Sequence, residues 1–101
     1  MDKREIKRRL LEAVKRDPHL DDIKSVALFG SYVYGSPGQD SDIDVLIDFE
    51  PDAVVGFFAL SDIKHSFESL LGRTVDLLTP QAISKYFRQE VLAQAEYVYE
   101  K

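Results

Sequence analysis

Residues 42–49, DIDVLIDF, constrain the fold more than any other stretch of this chain. In an extended conformation Ile43, Val45, Ile47 and Phe49 share one face, and Asp42, Asp44, Leu46 and Asp48 share the other. A period of two does not fit a helix face, so the segment reads as a strand with an apolar side and a mainly acidic side. Six acids (Asp40, Asp42, Asp44, Asp48, Glu50 and Asp52) fall within thirteen positions that contain no Lys or Arg. Like charges this close repel unless water or a cation screens them.

The flanking segments predict a small sheet covered by helices. Ile6, Leu10, Leu11 and Val14 recur at helical spacing over residues 2–16, and Asp17-Pro18 ends that helix. The apolar run Ser25 to Phe29 stops at Gly30 and suits a buried strand. Residues 30–41, GSYVYGSPGQDS, carry turn chemistry, with one helical turn expected to start at Ser31. After Glu50-Pro51-Asp52 a helix is expected over about 54–71. Its stripe is Phe57, Leu60, Ile63, Phe67, Leu70 and Leu71, with Gly72 as the stop; the apolar stretch 54–58 is expected to pack beneath the sheet, with part of a partner interface as the other reading. Residues 74–78 read as a third strand. Thr79-Pro80 opens a last helix to about residue 95, carrying Ile83, Phe87, Val91 and Leu92; Tyr97 and Tyr99 are expected to pack as a terminal tail, with accepting AMP or touching a partner as the other reading. The order α-β-(short α)-β-α-β-α predicts one α/β or α+β domain over the 101 residues.

Composition narrows the chemistry. With no cysteine, disulfides, thiolate metal sites and a Cys nucleophile are excluded, and with two histidines no His-rich site is expected, so oxygen is the expected ligand of any metal. The formal charge of −5 hides an asymmetry: seven basic residues against three acids in positions 1–16 leave −9 on the rest. Lys and Arg interleaved with Glu describe a solvated helix face, and no direct nucleic-acid binding is expected. No apolar run approaches the roughly 18 residues of a membrane span, and a soluble cytoplasmic protein is expected.

Three features bear on function. Asp42 and Asp44, two apart on a strand, point the same way with Cα atoms roughly 6.5–7 Å apart. Such a pair suits a shared Mg²⁺ or Mn²⁺, although a D-x-D at a strand edge also occurs simply solvated. Gly30-Ser31 directly after a strand either receives an anion such as phosphate or forms an ordinary glycine turn. Asp76 lies among Val75, Leu77 and Leu78. If buried it needs a partner, for which a cation held by Asp42 and Asp44 is the candidate; if at a strand end, it reaches solvent.

Gly30-Ser31-x-x-x-Gly35, followed by Ser41-Asp42-Ile43-Asp44-Val45 and by Leu71-Gly72-Arg73-Thr74-Val75-Asp76-Leu77, resembles the minimal nucleotidyltransferases of the DNA polymerase β-type superfamily. The resemblance spans nearly the whole chain. It implies a small mixed sheet flanked by about four helices, and transfer of AMP from ATP with two Mg²⁺. On the matching positions, Asp42, Asp44 and Asp76 would be catalytic and metal-holding, and Gly30 and Ser31 would bind phosphates. Single-domain members resemble antitoxins of HEPN/MNT toxin–antitoxin modules, which implies a HEPN-domain toxin as partner and its tyrosine as acceptor, in a homo- or hetero-oligomer. Neutralisation by binding alone is the alternative. One departure stands out: Tyr34 occupies a loop position where family members often carry Arg, leaving Lys64, Arg73, Arg88 or a partner protein as sources of a cation.

Overall fold

The computed structural model describes residues 2–30 and 42–101. Its elements run α1 (Lys3–Arg16), β1 (Ile23–Phe29), β2 (Ile43–Phe49), α2 (Phe57–Leu71), β3 (Val75–Leu78), α3 (Arg88–Gln94) and β4 (Glu96–Glu100). Short 3₁₀ turns at Leu20–Asp22 and Pro80–Ala82 precede β1 and follow β3. The strands form one mixed sheet in the order β3-β2-β1-β4. β1 is antiparallel to both β2 and β4, whereas β2 and β3 are parallel. A parallel pair needs a long crossover, and α2 supplies it.

The period-two pattern of the strands divides the core between the two faces of the sheet. Val26, Leu28, Ile43, Val45, Ile47, Val75 and Leu77 pack on one face against Ile6, Leu10, Ala13 and Val14 of α1 and Ile63, Phe67 and Leu71 of α2. On the other face Ala27, Phe29 and Leu46 form a smaller cluster under Ile83, Val91, Leu92 and Ala95. Asp44 and Asp76 alternate out of the first core, so they belong to the second, less covered face.

The helix ends follow local chemistry. Asp2 caps α1 by accepting from the Glu5 N–H at 2.9 Å, and Asp17, just before Pro18, closes it. Along α1, Glu5 pairs with Arg8 and Arg9, and Glu12 with Arg16, so much of its basic face is engaged in ion pairs. Gly72 ends α2 in the left-handed conformation at φ 68°, as its place in the sequence predicts.

Three expectations need correction. The last helix does not run from 79 to 95. Only a 3₁₀ turn forms at Pro80, and the chain is extended again at Ile83 before α3 begins. Arg88 holds this break, its guanidinium donating to the carbonyls of Pro80 at 2.8 Å and Ile83 at 3.0 Å. Residues 96–100, expected as a tail, form β4 on the far edge of the sheet. There Tyr97 and Tyr99 pair with Ala27 and Val26, which satisfies the open side of β1. The 54–58 stretch does not pack beneath the sheet: α2 starts only at Phe57, behind Gly56, and Phe57 and Phe58 are exposed. Burial along α2 becomes complete only at Ile63. The described residues thus hold three α-helices, and the helical turn expected at Ser31 lies outside them.

β4 is tied to α1 by Glu96, which pairs with Lys7 and, at 2.9 Å, with Lys3. Hydrogen bonds from the Lys7 and then the Lys3 ammonium hold the Glu96 carboxyl below its usual 4.5. A depressed folded pKa stabilises the fold above the unfolded value and loses that contribution as pH falls through the folded one. Glu96→Gln is therefore expected to cost a few tenths to about 1 kcal/mol at pH 7, discounted for exposure. Urea unfolding of the two proteins should converge below pH 4.5.

Candidate active site

The site forms where β1 ends and β2 and β3 begin. β1 terminates in Gly30, whose φ of 75° lies in the left-handed region that β-carbons disfavour. A β-carbon at Gly30 would fall 2.0 Å from Asp44 Oδ2 and 2.8 Å from its Cγ. The Asp44 carboxylate therefore lies against the bare glycine backbone, and nothing larger than hydrogen fits between them. The antiparallel register, with Phe29 opposite Asp44, brings the two together.

The second contribution is the parallel register of β2 and β3. Asp44 pairs with Asp76, as Ile43 does with Val75. The Ile43 N–H donates to the Thr74 carbonyl at 2.9 Å and sets this alignment at the entry of both strands. Residues paired across adjacent strands point the same way, so both carboxylates stand on the less covered face. Asp42 precedes Asp44 by two residues and is exposed. Asp76 is exposed as well: Val75 and Leu77 are buried on either side of it, and its own side chain takes the other face. Of the two readings of Asp76, the structure shows the solvent-reaching one, because strand alternation turns its side chain away from the core. Ser31, Tyr34, Gly35 and Ser41 lie outside the described residues.

Glu68 is a contributor that sequence reasoning missed. Its carboxylate accepts from the Val75 N–H at 2.9 Å, tying the first residue of β3 to α2. The available signal was an acid in the last turn of a helix, where the macrodipole disfavours negative charge. An open groove of about 600 Å³ along α3 was also missed, lined by Phe87, Glu90, Val91 and Gln94. Val91 packs on the Ala27–Phe29–Leu46 cluster as well, which puts the groove on the acidic face of the sheet. Its size falls within the range of small-ligand sites.

The donor set is carboxylate alone and suits a hard cation. Among the described residues no three acidic or histidine side chains converge closely enough to form a ready metal cage. Asp42 and Asp44 lie two residues apart at the start of β2, and Asp44 stands beside Asp76 of the neighbouring β3. Of the cations considered, Arg88 is committed to main-chain carbonyls, and Lys64 lines a separate groove between α2 and β3.

A mixed sheet with a glycine-terminated strand beside paired aspartates is the framework of a nucleotidyltransferase, and the model of the nucleotidyltransferase domain family matches residues 7–98. The chain belongs to that family. It is 33% identical over 76 residues to the protein adenylyltransferase MntA of Thermococcus cleftensis, covering 75% of each chain. A solved structure provisionally named as a minimal nucleotidyltransferase superposes with a TM-score of 0.75 at 30% identity, covering 94% of both chains. A toxin–antitoxin structure with AMP-PNP shares the fold, with a TM-score of 0.74 at 21% identity over 94% of this chain and 73% of that one. So does a complex of tri-AMPylated HEPN toxin with MNT antitoxin from Shewanella oneidensis, with a TM-score of 0.67 at 19% identity, over 97% of this chain and 72% of that one.

Two glycines with similar φ separate conformational cost from steric conflict. Gly72→Ala meets nothing within 4 Å and is expected to cost about 1 kcal/mol, the penalty of a β-carbon in the left-handed region. Gly30→Ala carries that penalty and must also displace the Asp44 carboxylate, so it is expected to cost about 2 kcal/mol or more. Urea unfolding of the two variants checks the order.

Proposed function

We propose that this chain acts as a single-domain protein adenylyltransferase, moving AMP from ATP onto a tyrosine hydroxyl of a HEPN-domain toxin and thereby serving as its antitoxin in the cytoplasm. The observation that carries the reading is the register pairing of Asp44 with Asp76 beside the bare backbone of Gly30. Kinship with a protein adenylyltransferase gives the acceptor class. Exposure of Asp76 on a strand at the edge of the described sheet supports it, because a macromolecular hydroxyl can approach that carboxylate from solvent.

In this scheme Asp42 and Asp44 would hold Mg²⁺, and Asp76 would complete the set. Divalent cations, when bound, neutralise charge on the attacking and leaving oxygens of an in-line displacement. Gly30 lets phosphate oxygens approach the main chain, with Ser31 as the adjoining hydroxyl, and the groove along α3 offers room for the nucleoside. Asp76 takes the proton from the acceptor hydroxyl as its oxygen bonds to the α-phosphorus and the bond to pyrophosphate breaks.

A second reading, neutralisation by binding alone, has one observation in its favour. Positions 25–63 contain no Lys or Arg, and Arg88 is engaged elsewhere, so the segment that carries Gly30, Asp42 and Asp44 brings no cation of its own to a developing transition state. One experiment separates the two. Chain, ATP, Mg²⁺ and purified HEPN partner are incubated, and the partner is weighed by mass spectrometry. An AMP mass gain is expected from wild type, with at least about a hundredfold loss of rate in Asp44→Asn and Asp76→Asn at unchanged folding. Absence of any gain from wild type, together with full neutralisation by Asp42→Ala/Asp44→Ala, would establish the binding-only reading instead.

A further inference from the structure

Asp76 stands in solvent, so packing around its own side chain does not fix where the carboxylate lies. Its place comes from the backbone of β3, which is a slender platform. β3 has four residues and, among the described residues, pairs with β2 alone. Such a strand leaves its outward N–H groups without a ladder partner and opens easily. The residue before Asp76 shows how this strand is held. The Ile43 N–H takes the Thr74 carbonyl at 2.9 Å, which in a parallel ladder turns the Val75 N–H away from β2. That outward N–H donates to Glu68 Oε2 at 2.9 Å. Glu68 also engages the link at its other end, where its main-chain carbonyl accepts from the Gly72 N–H at 2.8 Å. Residues 72–75 are therefore bracketed by one half-buried residue of α2, and Asp76 comes next. A carboxylate in the last turn opposes the helix macrodipole, so the stability of α2 does not account for an acid at this position.

We infer that Glu68 is a positioning residue for the transfer reaction: through the Val75 N–H it fixes the backbone that presents the Asp76 carboxylate beside Asp44. This role rests on the AMP transfer proposed above and extends it to a residue of the crossover helix. Without the Glu68 acceptor the Val75 N–H turns to water, and the entry of β3 keeps only its bonds to β2. Asp44 stays where Gly30 and the register with β1 place it, so Asp76 moves relative to Asp44. A misplacement of about 1 Å in a reacting arrangement costs up to about a hundredfold in rate. Gly30 and Asp44 belong to the β1 and β2 side of the site, which Glu68 does not hold. The loss therefore falls on kcat and leaves the KM for ATP nearly unchanged.

AMP transfer to the purified HEPN-domain acceptor is measured for wild type, Glu68→Gln, Glu68→Leu, Asp76→Asn and Glu68→Leu/Asp76→Asn, and exchange of the Val75 amide is followed by NMR. Gln keeps a carbonyl oxygen for Val75, whereas Leu keeps helix propensity and offers no acceptor. Glu68→Leu is expected to lower kcat at least about tenfold with the KM for ATP within about twofold, and Glu68→Gln to stay within about threefold of wild type. Val75 exchange should quicken at least about tenfold in Glu68→Leu and stay near wild type in Glu68→Gln. Because Glu68 acts through Asp76, adding Glu68→Leu to Asp76→Asn should cost less than about twofold more. Glu68→Asp keeps the charge but falls one methylene short, and is expected to follow Glu68→Leu, which preserves the test if the Leu variant folds poorly. Glu96→Gln removes a tie of the opposite edge strand and should keep the wild-type kcat, which separates placement of Asp76 from general loss of stability. Transfer by Glu68→Leu within about twofold of wild type, or its full cost repeated on Asp76→Asn, overturns the positioning role and leaves AMP transfer standing. Equal loss in Glu68→Gln and Glu68→Leu, or unchanged Val75 exchange in Glu68→Leu, overturns it as well. A wild type that moves no AMP overturns the transfer reading itself, and the positioning role with it.

Discussion

The parallel pairing of β2 with β3 is the constraint on which the site depends. One main-chain hydrogen bond, Ile43 N–H to Thr74 C=O, aligns the entries of both strands, and Asp44 then stands opposite Asp76. A shift of one residue would send one of the two acids into the core face, where an unpaired carboxylate costs several kcal/mol. The apolar partners Ile43, Val45, Val75 and Leu77 oppose that shift, because all four are buried beneath α1 and α2. Packing on one side of the sheet thus holds the carboxylates in register on the other.

The site also depends on what surrounds this pairing. Glu68 takes the first N–H of β3, so the crossover helix both makes the parallel strand possible and anchors its start. Gly30 ends β1 without a side chain, which lets the Asp44 carboxylate fold onto the main chain. Arg88, which the sequence left open as a source of charge for the reaction, instead binds carbonyls and shapes the 80–88 segment over the acidic face. The structure uses its charged groups to place elements and leaves Asp42 and Asp76 in solvent.

Much of this was legible from residue pattern. The alternation of 43–49, the stripe from Leu60 to Leu71, the stop at Gly72 and the breaker at Pro18 each encode their element locally, through side-chain period or backbone preference. Legibility failed where neighbours decided. Residues 83–95 have helical spacing, yet cross-chain bonds from Arg88 and the extended backbone at Ile83 divide them. Residues 96–100 alternate weakly and become a strand only because β1 has an open edge to fill. Phe57 keeps the helical spacing of the core stripe, but its turn of α2 lies beyond the surfaces that bury the rest.

By itself the sequence determined which residue types were available to the chemistry: carboxylates without thiols, with almost no cation in the middle of the chain. It also determined the spacing that sets Asp42 and Asp44 on one side of a strand, because side-chain period is a local property of the backbone. Tertiary structure alone decided that Asp44 meets Gly30 and Asp76, residues 14 and 32 positions away, through two strand registers set by packing and hydrogen bonds. It decided as well that Asp76 faces water and that the Phe57–Phe58 pair stays uncovered. Burial depends on which surfaces meet, and residues distant in the chain supply those surfaces.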